Sequence, residues 1–309
     1  MRKCRLCEKP AEIYISSHNL ALCREDFIEN FERRVERTIR KFKMLDKRER
    51  VLVAISGGKD SLALLHLLNK LGYRATGYHI DLGIGDYSLE SLERVREFRK
   101  REGVEIIVES VRDEFGMGIG EISKRVKQPP CSVCGTIKRY MFNRAARNFD
   151  SIATGHNLDD EIATLMGNVL NWQTEYLARQ YPVLESRDSL KKKIKPFVFV
   201  SEYETATYAF VENIPYILEE CPYSTGAKSI FYKEILNRVE ERMTGTKLRF
   251  LSGFLKHRHL FLASGERKID LKPCIKCGYM TTSDICQFCR LKERINDKRR
   301  QSWQKFSPE

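Results

Sequence analysis

The sequence predicts an α/β fold, a parallel sheet wrapped by helices, with a small metal-binding module at each end. Three observations carry this. From residue 51 the chain alternates short apolar runs with amphipathic stretches, as strands joined by crossover helices do. A glycine-rich turn, Ser56-Gly57-Gly58-Lys59-Asp60-Ser61, follows the first apolar run directly. Seven of the ten cysteines fall at the two ends in knuckle spacings, Cys4-x2-Cys7-x15-Cys23 and Cys274-x2-Cys277-x8-Cys286-x2-Cys289.

In chain order, residues 27–45 read as a long basic helix, because Phe27, Phe31, Val35, Ile39 and Phe42 recur every three or four positions. It links the first module to the body. Residues 51–56 form a buried strand and 61–71 a helix, with Gly72 as its stop. A second strand (74–82), a second helix (88–102, closed by Gly103) and a third strand (104–111) follow. Residues 136–149 look helical, 151–156 are a fourth strand and 194–200 a fifth. The chain divides into 1–45, 46–268 and 269–309. In such sheets ligands bind beyond the carboxyl ends of the strands.

The net charge is +13, from 55 basic and 42 acidic residues. A charge-rich surface explains the number of charges but not their imbalance, so a nucleic acid is the expected partner. No apolar run approaches the roughly 18 residues of a membrane span. The first residues, MRKCRLCEKP, lack an apolar signal region. A soluble, cytoplasmic protein without membrane contact is therefore expected. There, ten cysteines suggest metal or redox chemistry rather than disulfides.

The turn after the first strand is a phosphate cradle. Gly57 and Gly58 allow close backbone approach, the helix start aims N–H groups at an anion, and Ser56, Lys59 and Ser61 add donors. The spacing fits neither a Walker loop nor a dinucleotide fingerprint. Asp60 suits a carboxylate that meets Mg²⁺ or caps the helix. Ser-Gly-Gly-Lys-Asp-Ser after a strand resembles the PP-loop of the ATP pyrophosphatase superfamily, an adenine nucleotide α-hydrolase-like fold. The resemblance implies cleavage of ATP between its α and β phosphates and adenylation of a substrate oxygen. Ser56, Gly57, Gly58, Asp60 and Ser61 would hold the pyrophosphate end. Ala54 and Lys59, with His79, Ile80 and Asp81 at the next strand end, would complete the nucleotide site. His79 reads equally well as a packed core histidine. A second motif, Gly155-His156-Asn157-Leu158-Asp159-Asp160-Glu161, opens another helix, amphipathic through Ile162, Leu165, Met166, Val169 and Leu170. Its acids read either as complements of the helix dipole or as site residues. The motif is similar to an element of the tRNA-thiolating branch, which implies that Gly155 and His156 join the ATP site and that Asp160 assists Mg²⁺ or the base.

Three cysteines remain in the body: Cys131 and Cys134, in Pro129-Pro130-Cys131-Ser132-Val133-Cys134, and Cys221. Zinc, a redox dithiol with a persulfide carrier, or an iron–sulfur cluster all fit these residues. Together with the nucleotide motifs they resemble the tRNA 2-thiolation family. That resemblance implies that Cys131, Cys134 and Cys221 hold an oxygen-labile [4Fe–4S] cluster, with the free iron taking the sulfide that attacks the adenylated base. It makes Lys138 and Asp160 acid–base or positioning residues.

Cys274, Cys277, Cys286 and Cys289 form a complete tetrahedral zinc set. The first module has three cysteines. Spacing offers Asp26 as the fourth ligand and chemistry offers His18, with spacing preferred. Modules at both ends occur in wobble-uridine thiolases too, but the patterns LCREDF and CQFCRLKERI look more like the TtuA type of 2-thiouridine synthetase. This implies thiolation at the T-loop ribothymidine position, two Zn²⁺, a homodimer, and a ubiquitin-like sulfur carrier ending in a thiocarboxylate. Basic clusters for tRNA are Arg33, Arg34, Arg37, Arg40, Lys41 and Lys43; Lys191 to Lys193; and Lys292, Arg294, Lys298, Arg299 and Arg300. Trp172 and Trp303 could stack a base, with core packing the preferred reading for Trp172.

Overall fold

In the computed structural model, residues 2–265 and 271–304 are described, with side chains for 2–262 and 271–296. Lys298, Arg299, Arg300 and Trp303 lie outside the residues whose side chains are described. A hairpin of β1 (Ile13–Ile15) and β2 (Leu20–Leu22) precedes helix α1 (Arg24–Lys41). The body runs β3 (Arg50–Ile55), α2 (Lys59–Lys70), β4 (Arg74–Asp81), α3 (Gly85–Glu102), β5 (Ile106–Ser110), α4 (Val111–Phe115), α5 (Ile119–Val126), α6 (Pro130–Ala145), β6 (Ser151–Thr154), α7 (Leu158–Leu170) and α8 (Thr174–Arg179). It continues with β7 (Val183–Leu184), β8 (Lys192–Ile194), α9 (Glu202–Val211), α10 (Lys228–Arg242), α11 (Thr246–His257) and α12 (His259–Gly265). A second hairpin of β9 (Lys272–Pro273) and β10 (Met280–Thr281) leads into α13 (Gln287–Gln304).

The sheet has the order β5-β4-β3-β6-β8-β7 and is parallel except for the edge strand β7. From β3 the chain first builds outward through β4 and β5, then returns to the other side of β3 with β6. That reversal opens a crevice at the carboxyl ends of β3 and β6, where ligands of such sheets bind. Two apolar cores cover the two sheet faces. One joins the sheet to α1, α2 and α9; the other joins it to α5, α6 and α13. Helix α1 follows the predicted stripe. Phe27, Phe31, Val35 and Ile39 are buried, and Phe31 stacks on Tyr208 of α9 at 4.4 Å. Burying each Phe stabilises by about 1.5–3 kcal/mol, so this helix packs into the body core.

Three expectations need correction. Residues 194–200 are not one strand. The strand is Lys192–Ile194, and after Pro196, which has no N–H for a ladder, the chain turns. Phe197, Val198 and Val200 are nevertheless buried. Trp172 is not core but 76% exposed, in a turn with positive φ, and Leu170 at the end of α7 is also exposed. Helix α6 begins six residues before the expected 136, because Pro130 sits at its first position, where a missing N–H costs nothing.

Candidate nucleotide and cysteine site

The turn between β3 and α2 closes on itself through its serines. Ser61 Oγ donates to the Gly58 carbonyl at 3.0 Å and accepts from the Ser56 N–H at 3.1 Å. Gly57 has φ +84°, and a Cβ there would meet Ser91 Oγ at 2.4 Å, so only glycine fits. Ser91 ties the loop to α3 by donating to the Ser56 carbonyl at 2.7 Å. Gly155, after β6, lies so close to α2 that a Cβ would sit 2.8 Å from the Asp60 backbone. The two motifs therefore form one wall.

Between them lies a cavity of about 340 Å³. Of the expected nucleotide residues, Ala54, Ser56, Gly58, Asp60, Ser61, His79, Ile80, Gly155 and His156 line it; Gly57, Lys59 and Asp81 do not. Lys138 and Asp160 line it as well. His79 is both buried and in the wall. Its Nδ1 faces the Ile55 carbonyl at 3.2 Å, while Nε2 is buried without a partner among the described residues. Burial pushes its pKa down. An unsatisfied buried nitrogen beside a cavity fits a polar ligand such as adenosine.

Asp60 is held from three sides. Its Oδ1 accepts from Thr205 Oγ1 and from Asn157 Nδ2 at 3.3 Å, and Lys59 Nζ lies 3.2 Å from Oδ2. Asp160 closes the capping box of α7, accepting from the Asn157 N–H at 3.1 Å. Its other oxygen meets Lys233 of α10 at 2.6 Å. Glu202 bridges both lysines, 2.9 Å from Lys59 and 3.0 Å from Lys233. Burial alone would raise the Glu202 carboxyl, yet the two lysines outweigh it and hold its pKa down at about 2. The sequence reading missed Glu202, Thr205 and Lys233. They carry no local motif, and only the tertiary fold brings α9 and α10 to the loop.

Cys131, Cys134 and Lys138 lie on one stripe of α6 at i, i+3 and i+7. Cys131 is exposed, and its thiol donates to the Tyr223 carbonyl at 3.1 Å, beside Cys221. Burial pushes the Cys134 thiol up against the pull of Lys138, and charge on Cys221 or Cys131 adds to the rise. The fold thus brings all three thiols within electrostatic reach of one another. Three cysteines with no fourth protein ligand among the described residues fit a cluster that leaves one metal position open.

The terminal sites are tighter. Sγ atoms of Cys274, Cys277, Cys286 and Cys289 all lie within 4.8 Å of one another, as do Sγ atoms of Cys4, Cys7 and Cys23 with a carboxylate oxygen of Asp26. Asp26 Oδ2 is 3.0 Å from Cys4 and 3.2 Å from Cys23; His18 is not in this group. Around Cys274, burial would raise the thiol, but N–H groups led by that of Cys286 outweigh it and lower the pKa to about 6. These donor sets fit single tetrahedral ions.

The PP-loop domain family matches residues 28–220, and the N-terminal LIM domain of the 2-thiouridine synthetase TtuA matches residues 3–28. The chain is 46% identical over 308 residues to tRNA-5-methyluridine(54) 2-sulfurtransferase of Thermus thermophilus, covering 99% of this chain and 95% of that protein. This chain belongs to the TtuA-type branch of the PP-loop family. It is also 44% identical to the protein of the same name from Pyrococcus horikoshii, with 96% of both chains covered. Among solved structures, the U34-tRNA thiolase NcsA of Methanococcus maripaludis, determined with its [4Fe–4S] cluster, superposes with a TM-score of 0.79 at 27% identity, covering 95% of this chain and 96% of that one.

Within the TtuA-type frame, several basic residues expected to meet tRNA are engaged internally. Arg34 pairs with the buried Glu204, Lys292 with Glu114, and Arg294 donates to the Val126 carbonyl at 2.7 Å. Arg33, Arg37 and Arg40 remain exposed. No helix among the described residues is long and apolar enough to cross a membrane.

Proposed function

We propose that this chain is an ATP-dependent tRNA sulfurtransferase that activates O2 of 5-methyluridine 54 and replaces that oxygen with sulfur. One observation carries the reading: the α6 stripe joins two body cysteines to Lys138, and Lys138 stands in the wall of the PP-loop cavity. Ser56, Gly57, Gly58 and Ser61 would hold the pyrophosphate end of ATP, Asp60 would hold Mg²⁺, and His79 and Ile80 would frame the adenosine. The base O2 attacks the α-phosphorus, the bond to the β-phosphate breaks, and pyrophosphate leaves. Sulfur then displaces AMP at C2. Lys138 neutralises the charge that gathers on the departing oxygen, and Asp160 orients the base. Cys131, Cys134 and Cys221 would hold a [4Fe–4S] cluster, which when bound supplies one iron free of a protein ligand for holding sulfur. Cys4, Cys7, Cys23 and Asp26 would hold one Zn²⁺ and Cys274, Cys277, Cys286 and Cys289 another, in a chain organised as 1–45, 46–268 and 269–309. The same reading gives a cytoplasmic homodimer fed by a ubiquitin-like thiocarboxylate carrier. The test is anaerobic incubation with ATP, tRNA and inorganic sulfide as the sulfur source, followed by mass spectrometry. A 2-thio base at position 54 with AMP and pyrophosphate is expected. ADP with phosphate would overturn the chemistry, and sulfur at position 34 would overturn the choice of base.

A further inference from the structure

The three lysines at 191–193 do not act alike. Strand alternation in β8 sends Lys192 to Glu49, whose two oxygens lie 3.2 and 3.1 Å from its Nζ. Lys193 takes the other face. In the parallel register it stands beside Ile152, which belongs to the same apolar core as Tyr140 and Met141 of α6. Arg139 of α6 is next to Tyr140 in sequence and is exposed. Neither Lys193 nor Arg139 has an acidic partner among the described residues. Burial, and then the charge of Arg139, push the Lys193 pKa down. A half-buried cation held near a second cation without an acid costs stability. An anion that touches both returns it.

The position is specific. Gly135, Arg139 and Asn143 form the stripe of α6 beside Cys131, Cys134 and Lys138. Gly135 leaves room for the guanidinium, since a Cβ there would lie 3.1 Å from Arg139 Nη1. Asn143 reaches Tyr279 of the C-terminal cysteine module at 3.4 Å. Neither cation lines the nucleotide cavity, so ATP is not their ligand.

The geometry points to Arg139 and Lys193 as a docking pair for one stretch of the tRNA phosphate backbone, set where α6, strand β8 and the C-terminal module meet. This rests on the tRNA reading above. A phosphate seated there would fix the strand alongside the reactive stripe of the same helix. Phosphate contacts position an RNA without reading its sequence.

The test measures tRNA binding across salt for the wild type, Arg139→Gln, Lys193→Gln, the double variant and Lys192→Gln. Each of the first two should reduce the log–log salt slope by about 0.7–0.9, and the double variant by about twice that. Lys192→Gln should leave the slope unchanged, because Glu49 already neutralises that cation. The KM for ATP should not move. Lys193→Gln should melt no lower than the wild type, which separates a lost ligand contact from damage to the fold. If it fails to fold, Arg139→Gln at its exposed site still carries its own share. An unchanged slope in the double variant beside a steep wild-type slope overturns the docking pair and leaves the proposed function standing. A wild type that binds no tRNA at low salt overturns both. Loss of response to the sulfur carrier with the slope intact would make the patch a protein dock and overturn the inference.

Discussion

The terminal cysteines and the central cysteines are built to different rules. At the ends, four ligand atoms converge within 4.8 Å, and Cys4, Cys23, Cys274, Cys286 and Cys289 are at least nine-tenths buried, with Cys277 half-buried and Cys7 exposed. In the body, three cysteines come from two distant segments, one is exposed, and among the described residues they form no such tight set. Convergence and burial suit an ion that fixes a fold. Wide placement beside a nucleotide cavity suits a group that must meet a substrate. The difference is that between a staple and a reagent, and it can be broken by measuring activity and stability separately.

The largest effect falls on activity at the centre. Cys131→Ser, Cys134→Ser and Cys221→Ser should each lower thiolation by about 10³-fold or more, and the triple variant should be little worse, since the three act as a unit. Thermal midpoints should hardly change. Mass spectrometry of tRNA and calorimetry on the same preparations check this. One active single variant would break the unit.

At the ends the effect should be on stability. Cys274→Ala should cost on the order of 5 kcal/mol, because binding energy of a structural ion is folding energy. The loss should be local, with limited proteolysis cutting first near 271–296. Phe288 stacks on Tyr140 of α6 at 3.7 Å, so release of the module also loosens the helix that carries Cys131 and Cys134. Activity that outlasts the loss of zinc from this module would detach the staple from the reagent altogether.

The local parts of this architecture were legible in the sequence, and the assembled parts were not. Strands β3, β4 and β6, the loop at Ser56, and the knuckle pairs of the terminal cysteines carry their signal within a few residues of chain, whereas Cys221 gains its neighbours only from the fold. The start of the helix under Cys131 is not legible locally, because Pro130 serves as its first residue although proline more often ends helices. Lys233 and Glu202 gave no signal, since their role exists only once α9 and α10 meet the loop. Core packing, the preferred expectation for Trp172, fails because its positive-φ turn holds the ring outside.

Between the two terminal sites lies a smaller contrast, four thiolates against three thiolates and Asp26. Zinc prefers imidazole nitrogen to a lone carboxylate in such company. Asp26→His should tighten zinc at the N-terminal site by about tenfold, about 1.4 kcal/mol, while His18→Ala leaves it unchanged. Competition with a chromogenic chelator measures both. A zinc affinity that follows His18 would move the fourth ligand there.

The smallest effect sharpens the comparison from a third side, where charge rather than sulfur ties segments together. Glu202 links Lys59 of the loop to Lys233 of α10. Its carboxyl sits at about 2 in the fold, against about 4.3 in an unfolded chain. A depressed acid contributes stability that is present above the unfolded value and is lost as pH falls through the folded one. The window is therefore from about pH 5 down to about pH 2. Glu202 is 39% exposed, so solvent screening limits its contribution to about 1 kcal/mol. Comparing Glu202→Gln with the wild type isolates this contribution, because acid also protonates cysteine ligands and frees metal, but does so equally in both proteins. The stability difference should be constant above pH 5 and shrink towards pH 2. A difference that stays flat across the window would mean that Glu202 acts through packing, and that the bridge between the loop and α10 contributes nothing electrostatic.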